Sequence, residues 1–282
     1  MDTEAGRRHK GQVSATYDLA SGGYDKPALR FFPAAARRLV EFAGIGPGDT
    51  VLDIATGTGA VARAAIERVG PAGRVVGIDL AGEMLRVARD RLANHANVSF
   101  EIMDGESPAF PPGTFSAVLS SFGLFFMPEM EAAANAWARL AAPGGRVAFS
   151  AFTQSAFQPL SDMFEETIRA FGVALPESRR PFSWQRLTDP ERCRGLLSHA
   201  GLHDAEISIE QHGYQLAGVD DWWDVLWNSG FRGPLSKLSP SDLTRFREKH
   251  LADVARTQTP SGIWLDNGII LAKGSVSPVA GS

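Results

Sequence analysis

The stretch Val51-Leu52-Asp53-Ile54-Ala55-Thr56-Gly57-Thr58-Gly59 decides how this chain is read. Val51, Leu52 and Ile54 make an apolar run of the kind found in strands that are covered on both faces. The run places a carboxylate at its end and then turns on glycines. Gly57 and Gly59 let the backbone turn tightly and come close to a ligand where a Cβ would intrude. A strand that stops this way and feeds a helix makes a floor for a small charged or polar cofactor.

Working outward, strand and helix signals alternate. The pattern predicts strand 50–54, helix about 58–69, strand 74–79, helix about 82–93 and strand 98–103. It continues with strand 115–121, helix about 128–141, a Pro143-Gly144-Gly145 turn and strand 146–151. Such a run of βαβ units predicts an α/β fold with a doubly wound, parallel sheet. Upstream, 27–43 reads as a helix with apolar residues at Leu29, Phe32, Ala36, Leu39, Val40 and Ala43, closing on Gly44. Downstream come a helix at 155–171, a Pro-bearing loop near 176–190, a helix at 189–200, strand 203–211 and a final strand 262–273. Between the last two strands lies an insert, about 214–260, which reads as mainly helical and carries Trp222, Trp223, Trp227 and Phe231. This insert is expected to form a lid over a pocket. The organisation expected is a helical cap segment at 1–45, one domain at 46–273 and a flexible tail at 274–282, with residues 1–12 also expected to fray.

The 282 residues are 44% hydrophobic, enough for a substantial core, with a formal charge of −4. Acids and bases are mixed along the chain, which gives no electrostatic reason to expect nucleic acid or a membrane surface as partner. Cys193 is the only cysteine, so neither an intrachain disulfide nor a Cys-based metal cluster is possible, and a reducing cytoplasm is the natural expectation. No apolar run suits a signal peptide or a membrane span. His9, His95, His199, His203, His212 and His250 are scattered without metal-site spacing, so no metal is expected.

Asp79 ends the second strand of the alternation, where a doubly wound sheet brings it beside the glycine turn. A carboxylate there can accept both ribose hydroxyls of a nucleoside. Gly57-Thr58-Gly59-Ala60-Val61-Ala62 also fits the dinucleotide pattern G-x-G-x-x-A, which keeps a nicotinamide-dependent oxidoreductase in view. Asp53 argues against it: a charge inside the strand end suits a cofactor bearing an amino group rather than a pyrophosphate, which favours S-adenosylmethionine. Met103-Asp104-Gly105-Glu106 falls at the end of the third strand, where a carboxylate can accept from an exocyclic adenine amine.

With these residues in place, the chain resembles the class I S-adenosylmethionine-dependent methyltransferases, in particular the ubiquinone/menaquinone-biosynthesis-like small-molecule group. The resemblance rests on Val51 to Gly59, Val76 to Leu80, Asp104 to Phe110 with Thr114 to Val118, Ser120 to Pro128, and Leu140 to Arg146, in that order. It implies a Rossmann-like sheet of seven strands, mostly parallel with an antiparallel last strand. It implies that backbone at Ala55, Thr56 and Gly57 and at Ser120 holds the methionine moiety, and that Asp79 holds the ribose. Leu80, Met84 and Met103 would then sandwich the adenine, with Asp104 near its amine and Tyr17 covering the cofactor from the N-terminal helices. Asp53, Gly59, Gly105, Glu106 and Ser121 complete the expected cofactor set. One departure is Ala55, where many such enzymes have glycine.

The activity expected is methyl transfer from S-adenosylmethionine, leaving S-adenosylhomocysteine, to a small, largely apolar acceptor in quinone chemistry or secondary metabolism. Tyr24, Phe122, Phe125, Trp222, Trp223 and Trp227 are the residues expected to line the acceptor's side. No catalytic base can be named. Transfer from a sulfonium is an in-line displacement for which alignment and a dry cavity are the main needs. A protein that keeps the cofactor pocket but catalyses a cyclisation, or only binds a small molecule, is the alternative, since fold does not fix function. A homodimer is compatible with the composition, and the richness in Ala, Gly and Arg points to a GC-rich bacterial source.

Overall fold

The computed structural model describes residues 4–175 and 184–278. Its strands are β1 (Thr50–Ile54), β2 (Arg74–Asp79), β3 (Val98–Ile102), β4 (Phe115–Ser121), β5 (Ala141–Phe152), β6 (His203–Gln211), β7 (Tyr214–Leu216), β8 (Ile263–Leu265) and β9 (Gly268–Ser275). The helices are α1 (Glu4–Ala20), α2 (Phe31–Phe42), α3 (Ala60–Val69), α4 (Gly82–Arg91), α5 (Met130–Leu140), α6 (Leu160–Ala170), α7 (Pro190–His199), α8 (Val219–Trp227), α9 (Arg232–Leu235) and α10 (Pro240–Ala255).

Seven strands form one sheet in the order β3-β2-β1-β4-β5-β9-β6, and β7 pairs with β8 in a separate small ladder. The pairs from β3 through to β5 are parallel, whereas β9 runs antiparallel to both β5 and β6. β1 is the central, fully covered strand that its composition calls for: Val51, Leu52, Asp53 and Ile54 are all 0% exposed. From β1 the chain moves outward to β2 and β3, then returns to the other side of β1 as β4. That reversal of direction makes the crevice at the carboxyl ends of β1, β2 and β4 the place for a ligand in an open α/β sheet.

Four local differences from the sequence pattern have physical reasons. Residues 4–12, expected to fray, belong to α1, because Lys10, Val13, Ser14 and Tyr17 fall on one helical face and dock across the crevice. The helix expected from 155 starts at Leu160, directly after Pro159, a residue type that disfavours helix in its predecessor. The final strand is two strands, β8 and β9, broken at Asp266 and Asn267, so that β8 pairs with β7 outside the main sheet. Residues 274 and 275, placed in the tail, still belong to β9, and Val276 extends the pairing by donating to the Gly145 carbonyl at 2.8 Å. Residues 176–183 of the expected loop, and 279–282 of the tail, lie outside the described residues.

The insert comprises β7, α8, α9, α10 and β8. Part of it closes on a core of its own. Trp222 and His250 are both 0% exposed, and the indole N–H of Trp222 donates to His250 Nε2 at 2.9 Å. Phe231, Phe246 and, from α6, Phe164 pack around this pair. Among the described residues no helix is long and apolar enough to cross a membrane.

Candidate cofactor site

The cavity at the carboxyl ends of β1, β2 and β4 encloses about 110 Å³. Its floor is the turn from β1 into α3. Ala55 (φ 56), Gly57 (φ 54) and Gly59 (φ 82) all adopt left-handed backbone, and so does Phe122 (φ 56) where β4 ends. Two non-glycine residues in this region, on adjacent loops facing one cavity, mark strain held in place by the surrounding structure. Gly123 is where the two loops touch: a Cβ there would lie 2.6 Å from Ala55 Cβ and 2.7 Å from Ser120 Oγ.

Asp53 lies beneath this floor. Its Oδ2 accepts from Thr56 Oγ1 at 2.5 Å and from the Ala62 amide at 3.0 Å, tying the turn to the first turn of α3. Burial pushes its carboxyl up to about 7, the nearby Asp79 charge adds to this, and the two hydrogen bonds oppose it. Asp53, expected as a carboxylate that suits a cofactor bearing an amino group, fixes the turn that forms the floor. Thr56 is drawn under with it, and Gly59 sits as the N-cap of α3 on the far side of the turn.

Asp79 does line the cavity, and it joins two loops: Oδ2 accepts from the Gly57 amide at 2.8 Å and Oδ1 from the Ala81 amide at 2.9 Å. Burial raises its carboxyl above the usual range, against the pull of these amides. Leu80, Met84 and Met103 line the same end, followed by Asp104 and Gly105. Asp104 Oδ1 accepts from the Glu106 amide at 2.9 Å, and Oδ2 accepts from Lys10 at 2.7 Å. Glu106 also pairs with Lys10 and accepts from the Glu129 amide at 2.5 Å. At the β4 end Ser121 lines the cavity, and its Oγ lies 3.0 Å from Ser150 Oγ, while Ser120 is fully buried beside it.

The roof is α1, not the insert. Lys10, Val13, Ser14 and Tyr17 face the cavity. Ser14 donates to the Leu80 carbonyl at 3.0 Å, and Asp18 accepts from the Glu83 amide at 2.9 Å. Tyr17 stands edge-on to Tyr24 at 6.0 Å and to Phe126 at 5.7 Å. Burial raises the phenols of both tyrosines above their ordinary value, with Asp79 adding to the effect, so both are neutral.

The structure thus brings Tyr17, Tyr24, Ala55, Gly57, Asp79, Leu80, Met84, Met103, Asp104, Gly105, Ser121 and Phe122 to one cavity. It places Phe125 behind the wall, packed on Phe126 and Phe152. It puts Trp222 in the insert's own core, and stacks Trp223 on Trp227 along an outer groove with Leu243 and Leu251. The three tryptophans expected beside the acceptor therefore lie elsewhere, because α8 turns one to its own core and two outward. Lys10, Val13, Ser14, Gly123, Phe126 and Met127 line the cavity without having been picked from sequence. The spacing of 10, 13, 14 and 17, one face of a helix ending on Tyr17, is the signal that marks the first three. Among the described residues no three His, Cys, Asp or Glu side chains come together as a metal-ligand set.

Residues 51–145 match the methyltransferase domain family. Aklanonic acid methyltransferase DauC of Streptomyces sp. (strain C5) is 36% identical over 178 residues, 61% of this chain and 81% of that relative. Ubiquinone/menaquinone biosynthesis C-methyltransferase UbiE of Hydrogenovibrio crunogenus is 31% identical over 211 residues, 69% of this chain and 83% of the relative. The chain belongs to the S-adenosylmethionine-dependent methyltransferases. The fold agrees: the crystal structure of the cyclase SpnF superposes with a TM-score of 0.57 at 16% identity, covering 98% of this chain and 96% of the other.

The methyltransferase's cavity suits its methyl donor, S-adenosylmethionine. Beside it, Ser120 Oγ is buried without a protein partner next to the Ala55 and Gly123 contact. A polar atom stranded there, between the turns at Ala55 and Phe122, suits a ligand whose amino-acid end carries both donors and acceptors.

Proposed function

We propose that this methyltransferase alkylates a small, largely apolar acceptor of the natural-product or quinone type. The observation that carries the reading is an aromatic wall continuous with the cofactor cavity. Tyr24 and Phe122 line the cavity; Tyr24 stacks on Phe32 at 4.4 Å and Phe122 on Phe152 at 4.1 Å. Flat apolar surface of this kind favours a conjugated or polycyclic acceptor. The names of DauC and UbiE, which refer to aklanonic acid and to quinone biosynthesis, fit the same class.

S-adenosylmethionine supplies an electrophilic methyl group on a sulfonium. The protein's own residues hold and orient. Asp79 takes the ribose hydroxyls and Asp104 the adenine amine, with Leu80, Met84 and Met103 around the ring. The turns at Ala55, Gly57 and Ser120 hold the amino-acid end, while α1 with Tyr17 excludes water. The titratable groups described in the cavity wall are Lys10, Tyr17, Tyr24, Asp79 and Asp104. Tyr17 and Tyr24 are held neutral, Asp79 is engaged by Gly57 and Ala81, and Lys10 and Asp104 engage each other. Alignment, with the acceptor's own acidity, is therefore the main catalytic device.

Calorimetry with S-adenosylhomocysteine tests the site. Asp79→Ala is expected to weaken binding about 10- to 100-fold, the size of one or two hydrogen bonds to a charged group; unchanged affinity would remove Asp79 from the reading. Incubation with quinone-like and polyketide-like phenols is expected to release S-adenosylhomocysteine in step with product. Product without it would instead support the cyclase alternative.

A further inference from the structure

Lys10 stands where the roof meets the end of the cavity assigned above to the adenine. Its side chain is only 12% exposed, and it reaches both Asp104, at 2.7 Å, and Glu106. Each acid is also fixed to backbone, Asp104 by the Glu106 amide and Glu106 by the Glu129 amide. Burial alone would lower the ammonium's pKa, but hydrogen bonds and charge from the two acids outweigh it and raise the pKa above its ordinary value. Lys10 is therefore a permanent cation at this place. The carboxylates are acceptors only, which favours a ligand that donates hydrogen bonds there.

The same helix is fastened to the opposite lip. One turn on, Ser14 donates to the Leu80 carbonyl, and Asp18 accepts from the amide of Glu83 at the start of α4. α1 thus bridges the loop after β2 and the loop after β3, and Lys10 is its anchor on the β3 side.

We propose that Lys10 is a positioning residue for the nucleoside, holding Asp104 and Glu106 in the orientation that receives the adenine amine and pinning α1 across the bound cofactor. This rests on the cofactor reading above. Without the ammonium the two acids repel each other, and the roof loses its tie to the loop after β3. The nucleoside then meets an adenine end that must be ordered at the moment of binding.

The test is calorimetric titration of the full chain with S-adenosylhomocysteine, together with steady-state kinetics. Lys10→Met is expected to weaken S-adenosylhomocysteine about tenfold and to raise KM for S-adenosylmethionine by a similar factor, with kcat at saturating cofactor moving less than about twofold. Lys10→Arg is expected to recover affinity to within about threefold, and Lys10→Gln to fall between. In an Asp104→Asn, Glu106→Gln background, Lys10→Met is expected to add less than about twofold, because the residue acts through those acids. A tenfold loss that persists in that background, or a Lys10→Met affinity equal to wild type, overturns the proposal. A wild-type chain that binds no S-adenosylhomocysteine overturns the cofactor reading itself, and this proposal with it.

Discussion

The two segments that flank the sheet, α1 and the insert, invert what their compositions suggest. α1 is polar, with Arg, His and Lys in its first half, yet it roofs the cavity and carries Lys10, Ser14 and Tyr17 into it. The insert is rich in aromatics, yet its largest ones are consumed by its own packing or lie along an outer groove. The two segments meet: Tyr17 OH lies 3.3 Å from where a Cβ on Gly230 would stand, and Thr16 Oγ1 lies 3.2 Å from where one on Gly233 would. The insert thus backs the roof rather than forming it. Aromatic content reports how much surface a segment must bury; it does not report which surface.

The sharpest way to break this contrast is Trp222→Ala. If Trp222 is core, removing a fully buried indole and leaving His250 without its donor destabilises the fold by about 4 kcal/mol, lowering Tm by roughly 10 °C. Affinity for S-adenosylhomocysteine, measured well below the new Tm, is expected to stay within about twofold. A variant of unaltered Tm with weakened acceptor binding would return Trp222 to the cavity.

His250 sharpens the same point through pH. Burial lowers its pKa to about 4, from 6.5 in an unfolded chain. The folded form holds the imidazole neutral, and between these values the unfolded chain binds the extra proton. Its contribution is therefore complete above pH 6.5 and is lost as pH falls towards 4, amounting to about 3 kcal/mol. Asp53 and Asp79, with raised pKa values, act in the opposite sense: they favour the fold when protonated and stop doing so as pH rises. The His250 part is thus read as a difference, from urea midpoints of wild type and His250→Gln at pH 7 and pH 4. The gap between the two proteins is expected to shrink by about 3 kcal/mol at the lower pH. A gap that stays constant would mean that water reaches this imidazole, and that the insert has no closed core.

Much of the sheet was legible because fully covered strands must be apolar runs, and β1 and β2 begin and end where those runs do. The acids at strand ends were legible for a related reason: Asp53, Asp79 and Asp104 interrupt apolar segments beside glycines, and a charge in such a place needs a purpose. What each acid does was less so. Asp53 and Asp79 differ in role because one side chain points under the turn and the other across it, which depends on backbone angles at Ala55 and Gly57 that no residue pattern specifies. Lys10 was hidden because its partner Asp104 is 94 residues away. A lone lysine in a polar helix reads as solvated until the fold brings two carboxylates to it. The tryptophans were misplaced because 222 and 223 are adjacent and must point to different sides of α8, so treating them as one cluster discarded the helical period.

That period also yields the mildest test. Trp223 and Trp227 are four residues apart on one side of α8, with ring centroids 5.5 Å apart and planes inclined at 21°. Arg247 lies over Trp223 at 5.1 Å and Arg232 over Trp227 at 3.3 Å, so the two rings form a half-exposed stack between cations, along the groove between α8 and α10. Trp223→Ala removes one ring from an aromatic pair and one cation–π contact, while leaving no sealed cavity. The expected loss is about 1 kcal/mol, well below that for Trp222. The acceptor's KM is expected to hold, since the ring faces away from Tyr24 and Phe122. The comparison between adjacent residues is therefore more telling than either variant alone. If 222 and 223 respond alike in Tm, the insert does not separate its core from its surface as described; if Trp223→Ala raises KM, the acceptor reaches past α1 to the insert after all.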